Sequence, residues 1–460
     1  MTSYYWNLEP IGNLCFGIYD GPHATPKPSF EGPIFLGIGN ITEDGKLDLS
    51  DKRHIAEEDF PKWTKRVLPS PGDIVFTYEA TLNRYAIIPQ GFRGCLGRRL
   101  ALIRPNPNKI DTRFLFYSFF GAEWRRTIAS NIIPGSTVDR IPLVSFPKFP
   151  VHVPPLPVQH KIADILSAYD DLIENNTRRI AILEEMARML YQEWFVKFHF
   201  PGYEQVKLVD STLGMIPEGW DVVKFVDVAD VLSGGTPKTS NPEYWNGNIP
   251  FFSPRDAPGS LYVIETEKYI TESGLKTCSS RLYPKDTIFI TARGTVGKVV
   301  LNAVDMAMNQ SCYALVGKED ISQFFVFLHI ENYIRYLKQT ANGAVFDTII
   351  VDTFKNLQVV KPSLSVIEQF SITVSPLFEQ VLNLLKKNAN LRRTRDLLLP
   401  KLISGEIDVS SWVEDDGEEM EQELVPAGHV QRGERRIEPD VEQVKPIDVK
   451  NLVRHSLWEE

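Results

Sequence analysis

An internal repeat constrains this chain more than any other feature, because the second half carries the motifs of the first half in the same order. The matching segments are Trp6-Asn7-Leu8 with Trp220-Asp221-Val222, Thr25-Pro26-Lys27 with Thr236-Pro237-Lys238, 32–36 with 248–252, 71–76 with 284–289, and Gly135 and Asp139 with Gly343 and Asp347. Their separation stays between about 208 and 216 residues, a drift that loop insertions in a shared fold produce and that chance matches would not show in a conserved order. The 460-residue chain is therefore expected to contain two similar modules.

Each copy has the same internal order. Short β-rich runs, such as 74–78 and 288–291, lie between clusters of Gly, Pro, Asn and Asp. Helical patterns follow at 112–129 and 321–339, and a longer helical pattern ends each copy, so an α+β fold is predicted. The predicted divisions are a first globular domain at 1–155, a first long helix at 156–200, a second globular domain at 201–362, a second long helix at 363–411 and a tail at 412–460.

The two long helical patterns have the spacing of a coiled-coil seam, because apolar residues recur alternately four and three positions apart. The seam residues are Ile162, Leu166, Tyr169, Ile173, Ile180, Leu183 and Leu190 in the first helix, and Leu377, Val381, Leu384, Leu391 and Leu398 in the second. An asparagine interrupts each seam, Asn176 and Asn388, and such a residue can fix the register of paired helices. One such helix alone is more simply an ordinary amphipathic surface helix. Two of them, each ending its copy, predict a paired rod about 54 Å long.

Charge is distributed unevenly along the chain. The formal net charge is -9, but residues 412–460 contain fourteen acidic and six basic residues, which leaves the preceding part nearly neutral. A neutral body can still carry basic faces, so the net charge does not exclude nucleic-acid binding. The tail, with its acidic run at 414–423, is predicted to be a solvated, disordered extension.

Composition argues against several classes of protein. No stretch of about 18 uncharged apolar residues occurs, and Met1 to Pro10 lacks a basic segment followed by an apolar one, so neither a membrane span nor a secretory signal is predicted. The expected compartment is the cytoplasm. The cysteines are Cys15, Cys95, Cys278 and Cys312. They lie far apart without paired metal-ligand spacing, which predicts buried reduced thiols and neither a zinc site nor a disulfide framework.

Four segments together resemble a known family. In chain order they are Pro154-Pro155-Leu156-Pro157-Val158-Gln159, the run from Ser233 to Trp245 followed by Ile249-Pro250-Phe251, the run from Thr291 to Lys298 with Asn309-Gln310-Ser311, and the run from Arg392 to Ile407. Their order resembles that of the specificity subunits of Type I restriction-modification systems, over about positions 1–411. The tail after Trp412 departs from the usual ending of this family.

This resemblance implies that the chain recognises DNA and that partner subunits carry out the chemistry. Two target-recognition domains, related by a pseudo-twofold axis, would lie at opposite ends of an antiparallel helix pair and read an asymmetric bipartite site in the major groove of double-stranded DNA. The helices would set the unread spacer and dock two methyltransferase subunits, which two motor-nuclease subunits join. The chain itself would not be catalytic and would bind no cofactor. The resemblance places S-adenosylmethionine, ATP and Mg²⁺ on the partner subunits that methylate adenine at N6 and cleave DNA.

The loop after the Asp73 or Asp286 strand is the first candidate for DNA contact. The candidate residues are Arg293, Gly294, Thr295, Gly297 and Lys298 in the second copy, and Tyr78, Glu79, Thr81, Asn83 and Arg84 in the first. Glycines permit close backbone approach, cations and hydroxyls suit phosphates or guanine edges, and a glutamate can accept from the cytosine amino group. The alternative is a β-turn in which Gly and Asn only serve backbone geometry. Because the loops differ, the two half-sites are expected to differ.

A second group of candidates is basic or polar. It consists of Thr236, Lys238, Thr239 and Arg255, with His23 and Lys27 in the first copy, and the cluster Arg93, Arg98 and Arg99. A solvated surface face explains any single one of these arginines equally well.

The sequence argues against a solitary DNA methyltransferase, a nuclease and an ATPase, and a scaffold is the other non-enzymatic alternative. A solitary DNA methyltransferase would need a glycine-rich cofactor loop and a catalytic tetrad, which 35–39 and 241–244 superficially resemble. However, 241–244 lacks the paired prolines of the tetrad, and both segments lie inside the pattern of the recognition domains. A nuclease or an ATPase lacks its motif here. A scaffold, whose helices organise partners and whose domains bind other proteins, is separated from a DNA reader by sequence-selective DNA binding.

Overall fold

The computed structural model describes residues 6–135, 137–318, 320–340, 349 and 351–412. The repeat positions Gly343 and Asp347 lie outside these residues, and so does the acidic tail after Trp412. Contacts divide the chain after Ser410, and the first unit contains both copies of the repeat and both long helices.

The first copy alternates short strands with helices before its long helix. Its elements are β1 (Asn7–Pro10), β2 (Cys15–Asp20), β3 (Ser29–Leu36), α1 (Phe60–Trp63), β4 (Ile74–Thr77), β5 (Tyr85–Ile87), β6 (Gly94–Leu96), β7 (Leu100–Pro105), α2 (Thr112–Ser118), α3 (Ala122–Asn131), β8 (Pro150–Val153) and α4 (Leu156–Tyr191). A π-helical turn, Gln192–Val196, extends α4. Pro157 lies in the first turn of α4, where a missing N–H costs nothing, so this proline helps to begin the helix.

The second copy begins with a hairpin and then follows the same order. Its elements are β9 (Leu208–Ser211), β10 (Gly214–Pro217), β11 (Asp221–Lys224), α5 (Phe225–Val228), β12 (Ala229–Ser233), β13 (Trp245–Phe252), β14 (Tyr262–Val263), β15 (Lys268–Ile270), α6 (Glu272–Lys276), β16 (Ile288–Thr291), β17 (Val299–Asn302), β18 (Ala307–Met308), β19 (Cys312–Gly317), α7 (Gln323–Thr340), α8 (Val351–Asn356), β20 (Gln358–Lys361) and α9 (Leu364–Ile403).

The strand pairings of the first copy recur in the second. The main sheet has the order β2-β7-β4-β5 in the first copy and β12-β19-β16-β17 in the second, where β14 adds a fifth strand. The parallel pair β3-β6 corresponds to β13-β18, and the antiparallel pair β1-β8 corresponds to β11-β20. The predicted α+β fold with an internal repeat is therefore confirmed.

One of the sequence matches is displaced by a residue. Gly72 precedes β4 and Asp286 precedes β16, and both have the left-handed conformation, with φ of 87° and 66°. Gly72 donates its N–H to the carbonyl of Ile88, directly after β5, and Asp286 donates its N–H to the carbonyl of Asn302, at the end of β17. The sequence match paired Asp286 with Asp73, and this pairing was wrong. The two aspartates suggested a false alignment, because the left-handed position before the strand is occupied by Asp in the second copy and by Gly in the first.

A break in the first copy was also not predicted. The helical pattern at 112–129 forms two helices, α2 and α3, which Gly121 separates with an extended backbone (φ -68°, ψ 150°). A Cβ at Gly121 would lie 3.2 Å from the Cγ2 atom of Ile403 near the end of α9. Because Gly121 has no side chain, the chain can pass close to the second long helix at this break.

The long helices α4 and α9 pack side by side in opposite directions. The Asn176 Nδ2 donates to the Asn388 Oδ1 over 2.9 Å near the middle of the pair, and the rings of Trp194 and Phe370 lie 5.4 Å apart towards one end. Contacting positions therefore rise along α4 as they fall along α9. Asn388 is 1% exposed and also donates to the carbonyl of Ile173, so the polar pair is enclosed in the seam.

The predicted seam residues serve two purposes in the fold. All of them are buried or half-buried. Ile162 and Leu166, near the start of α4, belong with Leu399 and Leu402 of α9 to the core of the first globular domain. The opposite ends of the helices, from Ile180 in α4, belong to the core of the second domain. Each domain thus packs on one end of the helix pair through buried apolar side chains. We call these two contact regions between domain and helices the first seat and the second seat.

Polar contacts differ between the two seats. At the first domain, the hydroxyl of Tyr117 donates to Asp170 over 2.6 Å, and Asp170 forms an ion pair with Arg395. At the second domain, Arg188 of α4 bonds to Glu331 of α7 over 3.0 Å.

Candidate nucleic-acid interface

Three loops meet at one edge of the main sheet in each copy. In the first copy β2 and β4 end where β7 begins, and β5 begins beside the end of β4. The loops at these strand ends, 21–28, 78–84 and 97–99, form what we call the first loop edge. Their counterparts 234–241, 292–298 and 309–311 form the second loop edge. Most of the predicted DNA-contact residues thus lie in these two sets of loops, whereas Arg93 and Arg255 lie outside them.

The central loops of the two edges close in the same way. The hydroxyl oxygen of Thr77 accepts the N–H of Arg84 over 3.3 Å, and that of Thr291 accepts the N–H of Lys298 over 3.0 Å. Each threonine is fully buried at the end of its strand. The residues from 78 to 84 therefore correspond one by one to those from 292 to 298.

The same loops share two left-handed positions. Ala80 and Gly294 have φ of 69° and 81°, and Asn83 and Gly297 have φ of 61° and 75°. Because L side chains rarely adopt this conformation, Gly294 and Gly297 satisfy a backbone requirement of the turn. The geometric interpretation of these glycines therefore has direct structural support.

Acidic neighbours hold several cations of the first loop edge. The guanidinium of Arg84 donates to the carbonyl of Ile41 over 3.2 Å and to Glu43 over 3.1 Å. Arg99 lies 3.4 Å from the carboxylate of Glu79, and both side chains are 29% exposed. These contacts reduce the positive charge that this edge presents.

Arg93 and His23 are also paired. Arg93 forms a two-pronged hydrogen bond with Glu57 and lies 4.7 Å from the ring centroid of Phe60. The hydrogen bonds from Arg93 lower the pKa of Glu57. The Nε2 of His23 lies 2.8 Å from Asp20. Both predicted contact residues therefore already have an acidic partner within the domain.

Tyr78 has a structural contact at this edge. Its side chain is 5% exposed, its hydroxyl donates to the carbonyl of Arg98 over 2.9 Å, and burial raises its pKa to about 12. The tyrosine thereby ties the central loop to the turn at 97–99. The other predicted polar residues, Thr81 and Asn83, are half-buried in the same loop.

A cleft that no sequence motif predicts lies beside the first loop edge. The cleft has a volume of about 250 Å³ and is lined by Thr25, Phe35, Gly37, Ile38, Arg53, Gly97, Arg98, Arg99 and Leu100. Arg53 and Arg98 are exposed and have no ion pair with a described residue, and no acidic residue is among the described residues of the lining. Arg53 reaches this place because the residue pairs with Phe35 of β3, a contact that no local motif signals. The cleft is suited to an anion such as a phosphate.

The second loop edge presents cations without acidic partners. Lys238, Arg293 and Lys298 are exposed, and none forms an ion pair within the described part of the chain. Thr239 and Thr295 are exposed as well. This edge therefore offers positive charge and hydroxyl groups to a ligand.

Gln310 is a further residue of the second loop edge that was not predicted. The hydroxyl of Thr236 donates to the Gln310 Oε1, which joins the loop 234–241 to the turn 309–311. Asn309 in that turn donates its N–H to Phe252 at the end of β13, beside the turn that carries the exposed Arg255. The segment Asn309-Gln310-Ser311 resembled the family, but only the fold shows that Gln310 lies beside Thr236.

The described residues contain no cluster of potential metal ligands beside these surfaces. No group of three or more His, Cys, Asp and Glu side chains among them is arranged to hold a metal ion. None of the helices in the described ranges is both long and apolar enough to cross a membrane.

A protein-family model matches both copies of the repeat. The family is the Type I restriction modification DNA specificity domain, and the matched residues are 34–185 and 217–391. The first match begins within β3 and the second just before β11, and each includes most of a globular domain and most of its long helix.

Curated proteins with related sequences carry the same description. The chain is 24% identical over 442 residues to the Type I restriction enzyme HindI specificity subunit of Haemophilus influenzae, covering 81% of this chain and 94% of that protein. It is 26% identical over 368 residues to the Type I restriction enzyme MjaIX specificity subunit of Methanocaldococcus jannaschii, covering 78% and 82%.

A solved structure shares the fold. It is the S subunit of a Type I restriction-modification system from M. genitalium, with a TM-score of 0.55 and 16% identity over 87% of this chain and 97% of that one. The repeated domains, the helix pair and the two family matches agree with one another. The chain belongs to the Type I restriction-modification DNA specificity family.

Proposed function

We propose that this chain reads an asymmetric bipartite DNA site, with one half-site at each loop edge and an unread spacer along the helix pair. The observation that carries the proposal is the repetition of one loop edge, with different side chains, at opposite ends of α4 and α9. Loops of this kind suit the major groove, where the four base pairs present different donors and acceptors.

Cations beside each edge would anchor the DNA backbone. Lys238 and Lys298 are exposed without acidic partners in the described residues, and so are Arg53 and Arg98 at the cleft of the first domain. Contacts of this type position a protein on DNA and make its affinity depend on salt.

The outer side of α4 is suited to a protein partner. Ile182, Met186 and Met189 are exposed and recur at spacings that place them on one face of α4, and Val196 is exposed in the π-helical turn that follows. In this proposal the face contributes to docking of two methyltransferase subunits, and two motor-nuclease subunits join the complex. S-adenosylmethionine, ATP and Mg²⁺ would bind those partners, which would methylate adenine at N6 and cleave DNA in the cytoplasm, while this chain catalyses no step.

The test is selection of DNA by the assembled complex. The chain is produced with its methyltransferase subunit, incubated with a library of random duplexes, and the bound duplexes are sequenced and assayed for methylated adenine. The expected result is a single motif of two unlike segments with a constant spacer, and methylation that requires both chains. Equal recovery of all sequences would favour a scaffold, and methylation by this chain alone would favour a solitary enzyme. Either result would overturn the proposal.

A further inference from the structure

Glu79 and Arg293 occupy the same position in the two central loops. Each follows its closing threonine, Thr77 or Thr291, by two residues and directly precedes the first left-handed position of the loop. An acidic side chain in one copy thus replaces a basic side chain in the other at a point where the backbones agree.

The neighbouring turns differ to match this exchange. Tyr78 donates its N–H to the carbonyl of Arg99, and Ala292 donates its N–H to that of Ser311, so Arg99 and Ser311 are also equivalent. The first copy therefore has Glu79 in contact with Arg99, whereas the second copy has Arg293 and Ser311 at the two equivalent positions. The exchange at position 79 or 293 is thus accompanied by a second exchange, at position 99 or 311, in the adjoining turn.

Glu79 is suited to a base that offers only a donor. The contact with Arg99 is an ion pair at 3.4 Å without hydrogen-bond geometry, so lone pairs of the carboxylate remain to accept. In the major groove cytosine offers its amino group without an adjacent acceptor, whereas adenine places N7 beside its amino group and guanine presents only acceptors. A carboxylate at position 79 therefore favours cytosine.

Arg293 is suited to the opposite pattern. Its guanidinium is exposed and has no acidic partner among the described residues. A guanidinium presents parallel donors that match O6 and N7 of guanine. Position 293 therefore favours guanine.

The symmetry of the helix pair relates these two positions. Asn176 of α4 bonds to Asn388 of α9 near the middle of the antiparallel pair, so the pseudo-twofold axis that relates the two copies passes close to this contact. Equivalent residues of the two domains then face symmetry-related base pairs on opposite strands. We infer that residues 79 and 293 read one such symmetry-related pair of positions, cytosine in the first half-site and guanine in the second, and that the site departs from palindromic sequence there. This inference rests on the proposed function.

Exchange of the paired residues tests the inference in the complete complex with its methyltransferase subunits. The variant Glu79→Arg with Arg99→Ser gives the first copy the pair found in the second, and Arg293→Glu with Ser311→Arg does the reverse. Each variant is exposed to the random duplex library beside the unchanged complex. The first is expected to change one position of one half-site from cytosine to guanine by about tenfold or more, and the second to make the opposite change in the other half-site.

The unaltered half-site serves as an internal control for folding. Glu79→Gln is a gentler second variant, because it preserves the shape of the side chain and adds a donor, and it should extend the preference to adenine at the same position. An equal loss of affinity for all sequences, with the cytosine preference retained, would overturn the inference and leave the proposed function intact. Failure of the unchanged complex to select any sequence would instead contradict the proposed function itself.

Discussion

The two globular domains share a loop geometry but use charge differently. In the first domain Arg84, Arg93 and Arg99 are held by acidic residues of the same domain. In the second domain Lys298 and Arg293 occupy equivalent or neighbouring loop positions without such partners in the described residues. The backbone thus determines where a contact is made, and the side chains determine how strongly and with what selectivity.

The domains also differ in how they are seated on the helices. The second seat is rich in aromatic rings, with Trp194, Phe195 and Phe370 in mutual tilted or edge-to-face contact and all buried. The first seat uses aliphatic side chains such as Leu166 and Leu402. Aromatic burial contributes more apolar area per residue, so the second seat is expected to be the more sensitive to truncation.

The largest expected effect follows from truncation of the second seat. Phe370→Ala should lower the free energy of unfolding of the second domain by about 3–5 kcal/mol, because a fully buried ring is replaced by a cavity. Chemical denaturation of the chain measures the loss, and library selection by the complex shows which half-site is affected. The matched control is Leu402→Ala at the first seat. Equal damage to both half-sites by Phe370→Ala would show that the two seats are not independent.

A smaller effect on DNA affinity should distinguish Lys298, which has no acidic partner among the described residues, from Arg84, which is paired with Glu43. Lys298→Gln should weaken binding to all sequences several-fold and reduce the salt dependence by about one phosphate contact. Arg84→Gln at the equivalent position should leave the salt dependence nearly unchanged and destabilise the first domain by about 1 kcal/mol, because Ile41 loses a hydrogen-bond donor. Filter binding at several salt concentrations compares them, and identical salt slopes for both variants would remove the distinction between the loop edges.

The asparagine pair provides a prediction about the distance between the domains. Replacement of Asn176 and Asn388 by Leu should raise the stability of the helix pair by about 1 kcal/mol, because polar groups leave the seam. The same change removes the contact that fixes register, so duplexes with a spacer one base pair longer or shorter should be accepted more readily. Unchanged spacer selectivity would assign the separation to the domain seats.

The smallest effect concerns Arg93. Glu57→Gln removes an exposed ion-pair partner, so the melting temperature should hardly change. Release of the guanidinium should increase affinity for unrelated duplexes by about twofold or less. A clear loss of affinity in filter binding would show that Glu57 positions Arg93 for DNA.

The sequence predicted the repeat, the α+β domains and the paired helices because each leaves a periodic or ordered pattern. Ile162 and Leu384 illustrate the strength of that pattern, since both are buried as their spacing requires. The displaced match at Asp286 arose because residue identity was followed where backbone conformation governs the alignment. The break occurs at Gly121, which lies close to Ile403 of α9, a residue far away in sequence.

Within the candidate interface, local residues were easier to predict than their neighbours in space. The central loops were visible from their Gly, Arg and Lys content. Arg53 and Gln310 escaped notice because strand pairing brings them beside residues that are distant in the chain. The pairing of Arg93 with Glu57 likewise depends on tertiary structure, and no charge count along the sequence distinguishes it from the unpaired Lys298.

Footprinting of the assembled complex on its selected duplex is the most direct measurement of two-point reading. Base-resolved methylation protection should show two protected major-groove segments separated by an unprotected spacer, and Lys298→Gln should weaken protection at one segment before the other as salt rises. A single continuous footprint, or equal weakening of both segments, would contradict recognition by two separate loop edges.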